Sequence, residues 1–378
     1  MPSPAFDRPL HVGGPNIGDR DRFLGRVGEI LDRRWMTNDG PMVREFEQQV
    51  AQRMGVAHCI AMCNGTVALE IAVRAVGMHE EVIVPSYTFV ATAHALQWQG
   101  ITPVFADIDP DTHQLDVGAV ERMITPRTTG IIAVHLWGRS APVAELQALA
   151  DRRGLVLIVD AAHAFDCAFD GRLVGSSGRA EVLSFHATKF FNSIEGGAVL
   201  TNDAELAQQM RLMRNFGFAG EDNVVHLGTN GKMNEFSAAM GLTNLEQIEE
   251  VKAANARNFE AYRAVVDPIR GLRLLPFDLE ARNNFQYVVM EVESGSARER
   301  DHLVACLREN NVLARKYFWP GVHRMQPYRE LFPHAGLLLP NTEKVADRVI
   351  VLPTGTAVSP ADITIIGRIL RAAVDQAA

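Results

Sequence analysis

Lysine is scarce in this chain of 378 residues, standing only at positions 189, 232, 252, 316 and 344, with the other basic charges carried by arginine. Lys252 and Lys344 sit in polar, charged stretches and read as solvated. Lys189 does not: it lies in Ser184-Phe185-His186-Ala187-Thr188-Lys189-Phe190-Phe191, just past an apolar run. Aromatic neighbours strip water from an ammonium and lower its pKa. A lysine so placed can attack a carbonyl and hold it as an imine. The alternative is a lysine whose stem lies on apolar surface while its head reaches water.

Three more features repeat the pattern of polar chemistry at the end of an apolar run. The run 154–159 ends in Asp160-Ala161-Ala162-His163. A carboxylate there can pair with a protonated pyridine nitrogen and keep the ring an electron sink; it can equally cap a helix or bind a ribose. Asn64-Gly65-Thr66 opens a helical stretch, where free backbone amides and the Thr66 hydroxyl make an anion cradle; a plain helix cap is the alternative. Ser184 adds a hydroxyl. Pro85-Ser86-Tyr87-Thr88-Phe89 offers a flat ring that either stacks on a planar ligand or joins the core. Each feature is weak alone. Together, an imine-forming lysine, a ring-nitrogen carboxylate, a phosphate cradle and a stacking ring converge on pyridoxal 5′-phosphate.

The elements that must position these groups follow from periodicity. Residues 20–35 and 42–54 read as amphipathic helices, the second with Val43, Phe46, Val50 and Met54 on one face. Strands are expected at 58–62, 81–84, 102–106, 130–134, 155–159, 182–185 and 198–201. Helices are expected from 64, over 89–99 and over 143–153. Such alternation implies a wound, mostly parallel sheet with helices on both faces, and ligands beyond the carboxyl ends of its strands. Past Met233 one long helix is expected over 235–265, then a strand at 285–292 and helices at 298–309 and 360–373. The expected division is a large α/β domain, 1–250, and a smaller C-terminal α+β domain, 251–378.

Composition narrows the class. A formal net charge of −8 argues against a nucleic-acid surface. The cysteines at 59, 63, 167 and 306 form no CxxC pair, which fits a reducing compartment. No Cys/His ladder marks a metal site. No signal-like segment or run of membrane-spanning length appears, so a cytoplasmic location is expected.

The stretches Asn64 to Leu69, Val82 to Thr92, Pro103 to Ile108, Val134 to Gly138, Asp160 to Ala164, Ser184 to Lys189 with Glu195-Gly196-Gly197, and Asn230 to Glu235 resemble the DegT/DnrJ/EryC1/StrS sugar aminotransferases. The resemblance runs from about Pro9 to the final helix. It implies the aspartate-aminotransferase-like fold, known as fold type I. It further implies that Lys189 forms the Schiff base and shuttles the proton, that Asp160 pairs with the pyridinium, and that His163 meets the phenolic oxygen or ring. Phe89 would stack on the ring, and Gly65, Thr66 and Ser184 would hold the phosphate. Asn230 would reach the phosphate of a neighbouring subunit, which implies a homodimer with shared sites. Lys232 stands where relatives often carry arginine, leaving its role as an anion contact open.

Dehydratase relatives carry histidine in place of the lysine, so Lys189 favours transamination. The implied reaction is ping-pong: L-glutamate donates an amine that a nucleotide-linked keto sugar accepts. The segments 186–192 and 315–323 resemble the branch acting at C4 of dTDP-4-keto-6-deoxy-D-glucose, with Tyr317 and His323 as sugar-pocket candidates. The alternatives are a 3-keto sugar aminotransferase and a pyridoxal-phosphate regulator without turnover, although no basic recognition helix accompanies the chain. A dinucleotide enzyme would need the G-x-G-x-x-G turn, which is missing.

Overall fold

The computed structural model describes residues 3–293 and 296–377. Its centre is a seven-stranded sheet formed by β1 (His58–Met62), β2 (Glu81–Pro85), β3 (Thr102–Ala106), β4 (Thr128–Val134), β5 (Val156–Asp160), β6 (Glu181–Ser184) and β7 (Gly197–Thr201), in the order β1-β7-β6-β5-β4-β2-β3. The ladders from β3 to β6 are parallel, while β7 runs antiparallel to both β1 and β6.

Helices cover both faces, so the strands are apolar throughout rather than alternating. Ile60, Val82, Val84, Ile132, Ile158 and Val199 pack with Leu69 and Val73 of α1 (Gly65–Ala75) and with Leu206 and Met210 of the helix Ala204–Met213. Ile83, Ile131, Leu157 and Val159 face the opposite way, onto Leu146 and Leu149 of the helix Val143–Arg153.

A second, three-stranded antiparallel sheet (Leu272–Leu274, Val288–Val292, Val349–Leu352) forms the other layer. Its core joins Val288, Met290 and Ile350 to Phe259, Leu303, Ile363 and Leu370. The start of the chain belongs to this layer too. Phe6 is in that core, and Leu10–His11 pairs with Val312–Leu313.

Two expectations shift. The stretch 235–265 is two helices, Glu235–Leu245 and Ile248–Val266, with Gln247 at the break. The first is buried almost all round; the second carries Ile248 in the core around Phe46 but Phe259 and Tyr262 in the second sheet's core. One straight rod cannot serve both. The strand expected at 285–292 starts only at Val288. Asn284 instead donates to the carbonyls of His163 and Phe165 and accepts from Gln286 N, and Phe285 takes a left-handed φ of 50°.

The layers are fastened by Asp166, whose side chain is fully buried. Its carboxylate takes both Nε and Nη2 of Arg53 at 2.7 and 2.8 Å and Lys252 Nζ at 2.8 Å, and also pairs with Arg282. Asp166→Ala leaves Arg53, Lys252 and Arg282 clustered with the exposed Glu249 as their remaining carboxylate neighbour among the described residues. The partners retain some solvent, so the low end of the ~3–5 kcal/mol typical of a broken buried pair is expected, about 3 kcal/mol. For a chain of this length that lowers Tm by about 4 °C in a calorimetric scan.

Among the described residues, no helix is long and apolar enough to cross a membrane. No group of three or more His, Cys, Asp or Glu side chains is arranged to hold a metal.

Candidate active site

At the carboxyl ends of β5 and β6 lies a cavity of about 280 Å³, lined by Gly65, Thr66, Phe89, Asp160, His163, Ser184, Lys189 and Tyr317 among others. Eight of the eleven residues expected from sequence therefore meet in one place. A larger groove of about 590 Å³, lined by Asp109, Asp116, His135, Phe169 and Arg172 among others, holds none of them.

The anion cradle is built by local rules. Asn64 caps α1, its Oδ1 accepting from Val67 N at 2.8 Å. The first helical amides, at Gly65 and Thr66, have no acceptor within the helix. They remain free for an anion, which the positive end of the helix also favours. Glycine suits position 65 because a Cβ there would lie 3.0 Å from Ser184 Cβ, so that Ser184 would have to give way.

Asp160 ends β5 as a buried carboxylate. Thr92 Oγ1 donates to Oδ2 at 2.9 Å and Ala162 N to Oδ1 at 3.1 Å. Burial raises its pKa, with these bonds and Lys189 pulling the other way. Since Thr92 gives its proton to Asp160, the bond to Thr88 Oγ1 at 3.1 Å must run from Thr88 to Thr92.

Lys189 is carried on a tight turn after β6. Its N–H bonds His186 O at 2.8 Å, and Thr188 Oγ1 bonds His186 Nδ1 at 2.8 Å. No hydrogen bond or ion pair holds its ammonium among the described residues. Burial lowers its pKa to about 8, with Asp160 opposing. The turn is clamped by the start of the chain. Gly13, at φ 75°, sits so close that a Cβ would meet Thr188 at 2.8 Å. Asn16 donates to Phe190 O, its carbonyl accepts from Asn192, and its Oδ1 accepts from Thr356 N.

Three expected residues lie elsewhere. His323 is buried, bonded to Ser86 Oγ at 2.7 Å and to Glu343 at 3.2 Å. Asn230 is exposed and bridges Asn215. Lys232 donates to Asn215 Oδ1 at 2.9 Å and lies over the Phe216 ring, in a separate cleft with Arg211 and Arg214.

Sequence reasoning passed over Thr88, Thr92, Tyr287 and Phe318. The two threonines are one helical turn apart, which is a signal only once Asp160 is known to face them. Tyr287 and Phe318 come from the second layer, and nothing local marks them. Tyr87, by contrast, is fully buried and donates to Tyr317 O at 2.7 Å.

The arrangement unites a partially neutral amine, a buried carboxylate, an anion cradle and an aromatic wall. That set suits imine chemistry on a planar, phosphorylated, nitrogen-containing ring. Comparison with known proteins points the same way. The chain is 35% identical over 351 residues to the dTDP-4-amino-4,6-dideoxy-D-glucose transaminase of Escherichia coli, covering 93% of this chain and 95% of that one. It is also 35% identical over 327 residues to the GDP-perosamine synthase of Caulobacter vibrioides, covering 85% and 87%. The crystal structure of DesI in the presence of its TDP-sugar product superposes with a TM-score of 0.93 at 49% identity, covering 98% of this chain and 94% of that one. With residues 18–371 matching its family model, the chain belongs to the DegT/DnrJ/EryC1/StrS aminotransferase family.

Proposed function

We propose that the cavity binds pyridoxal 5′-phosphate and transfers the amine of L-glutamate to a nucleotide-linked keto sugar, dTDP-4-keto-6-deoxy-D-glucose, giving dTDP-4-amino-4,6-dideoxy-D-glucose. The observation that carries this is the unpaired amine of Lys189 sharing one cavity with the Asp160 carboxylate and the free amides of α1. The choice of sugar is supported by the similarity to the E. coli dTDP-4-amino-4,6-dideoxy-D-glucose transaminase and to DesI, whose structure was determined in the presence of its TDP-sugar product.

When bound, the cofactor supplies an aldehyde for Lys189 and a cationic ring that takes up the electron pair left when the donor's α-proton departs. The chain's residues do the rest. Asp160, fixed by Thr92 and Ala162 N, keeps the ring nitrogen protonated. Lys189, once displaced by the donor's amine, is the base that removes the α-proton and the acid that returns a proton. The Gly65 and Thr66 amides with Ser184 hold the phosphate, and Phe89, Tyr317 and Phe318 exclude water from the ring.

The same reading includes a homodimer. The loop leading to Asn230 exposes Phe216, Phe218, Val224, Val225 and Leu227. These apolar side chains suit burial against a second copy. Gly231 O accepts from Cys63 N, one residue before the cradle, so this loop already borders the phosphate end. A second copy across it would bring the partner's loop there too.

The decisive experiment is a pair of half-reactions. Glutamate should bleach the visible band of the reconstituted protein and yield 2-oxoglutarate, and the 4-keto sugar should restore the band and yield the 4-amino sugar by mass spectrometry and NMR. Absence of the first half-reaction would sink the enzyme reading; restoration only by a 3-keto sugar would sink the regiochemistry. Gly65→Ala is expected to loosen cofactor binding about tenfold in an absorbance titration, because the added methyl pushes on Ser184 at ~1–3 kcal/mol of overpacking cost.

A further inference from the structure

His163 lines the cavity and is 5% exposed. Its Nδ1 lies 3.2 Å from the backbone nitrogen of Trp137. A backbone N–H can only donate, so Nδ1 must be the bare, accepting nitrogen and the ring proton must sit on Nε2. Burial, aided by Lys189, lowers the pKa of His163 well below its ordinary value, so the ring is neutral near pH 7. Nε2 meets no protein acceptor among the described residues.

The Trp137 amide is aimed by an uncommon backbone. Trp137 is left-handed at φ 63° and ψ 14°, and Gly138 follows at φ 71°. A Cβ on Gly138 would strike His163 O and Asn284 Oδ1, each at 2.9 Å. Trp137 holds this pose through its side chain. The indole Nε1–H donates to His113 Nδ1 at 3.2 Å, and His113 Nε2 bonds Glu291 Oε1 at 2.9 Å. Since His113 Nδ1 accepts, its proton is on Nε2 and points at Glu291. Burial works to raise the Glu291 pKa, but His113, Arg273 and Arg348 prevail and hold it at about 2. Glu291 belongs to the second sheet. The indole also stacks on Phe318 at 5.0 Å and 14°.

We propose that His163 is a fixed Nε2–H donor into the cavity, and that Trp137, His113 and Glu291 are positioning residues that set its tautomer from the second layer. The tautomer stands on the protein alone. Its target, the phenolic oxygen of pyridoxal 5′-phosphate, rests on the reading above. A donor at that oxygen stabilises its anionic form. The lysine-bound cofactor then loses its proton at a lower pH. The other titratable groups lining the cavity are Asp160, His186, Lys189, Glu195, Tyr287 and Tyr317.

The test begins without cofactor. In apoprotein carrying ¹⁵N-labelled histidine, with His163→Gln assigning the signal among the twelve histidines, His163 should show a protonated Nε2 and a bare Nδ1 at pH 7. An Nδ1–H tautomer or an imidazolium overturns the proposal. Trp137→Phe and Glu291→Gln, each checked for native circular dichroism, should give a mixed tautomer. After reconstitution with pyridoxal 5′-phosphate, each should raise the pH midpoint of the visible band by roughly 1 unit, the scale of one charge-assisted hydrogen bond. An unchanged tautomer and midpoint in Trp137→Phe overturns the positioning role; if that variant does not fold, Glu291→Gln decides alone. A wild-type protein with the expected tautomer but no visible band would refute the cofactor reading and leave the tautomer intact.

Discussion

Lys189→Ala is expected to lower kcat by ~10³–10⁴-fold, the upper part of the ~10²–10⁴-fold range supplied by one well-placed acid–base group, since the same amine both anchors the cofactor and moves the proton. The matching chemical readout is borohydride reduction, which should leave a stable label on Lys189 in the wild type and none in the variant. Turnover by the purified variant at more than about a tenth of the wild-type rate would rule out both roles.

The amine's own titration gives a second handle. A pKa of about 8 against ~10.4 for a free lysine means that roughly a quarter of the side chains are neutral at pH 7.5 instead of about one in a thousand. Reconstitution of the apoprotein should therefore accelerate as pH rises toward 8 and level off above it. The sign for stability follows from the same shift. The folded state binds this proton less tightly than the unfolded chain. The apoprotein therefore carries the full desolvation cost below pH 8 and is relieved of it as pH climbs toward the unfolded lysine's value.

Asp160→Asn is expected to lower kcat by about a hundredfold to a thousandfold, the effect of losing ~3–4 kcal/mol from a buried charge pair. Asparagine keeps the volume; its Oδ1 can still accept from Ala162 N while its Nδ2 donates to the Thr92 hydroxyl, which can turn its own proton toward Thr88 Oγ1, so the fold should hold and the charge is lost. Without it the ring nitrogen is no longer kept protonated, and the α-proton of the donor becomes harder to remove. The discriminating measurement is α-deuterated glutamate. The variant should show a larger isotope effect on the half-reaction, whereas a purely structural role for Asp160 would leave the effect as in the wild type.

What sequence made legible here was what is local. Asp160 and Lys189 each follow an apolar strand, and the cradle at Asn64 follows another, so in a wound sheet all three are bound to the same edge. The seven strands were visible because both faces of the sheet are covered and the runs stay apolar. What was hidden depends on contacts between distant segments. His323 looked like a pocket residue because it sits in a loop beside Tyr317, yet Ser86 and Glu343 occupy both of its nitrogens. The break at Gln247 carries no glycine or proline and exists only because two cores need two helices. Phe285 leaves the strand pattern because Asn284 is recruited to hold the carbonyl of His163.

Asn16 has a consequence for how the protein is made. Its side chain and carbonyl hold Phe190 and Asn192 on one side and Thr356 on the other. A chain emerging from the ribosome exposes Asn16 well before Thr356, 340 positions later, so the nascent protein carries its reactive lysine on an unfinished loop until Thr356 appears. Domains generally fold as the N-terminal part appears, but here the final fastening waits for the segment around Thr356. The ability to capture an aldehyde should consequently arise only once Thr356 has emerged, and truncation just before Thr356 should leave a translated but unready site.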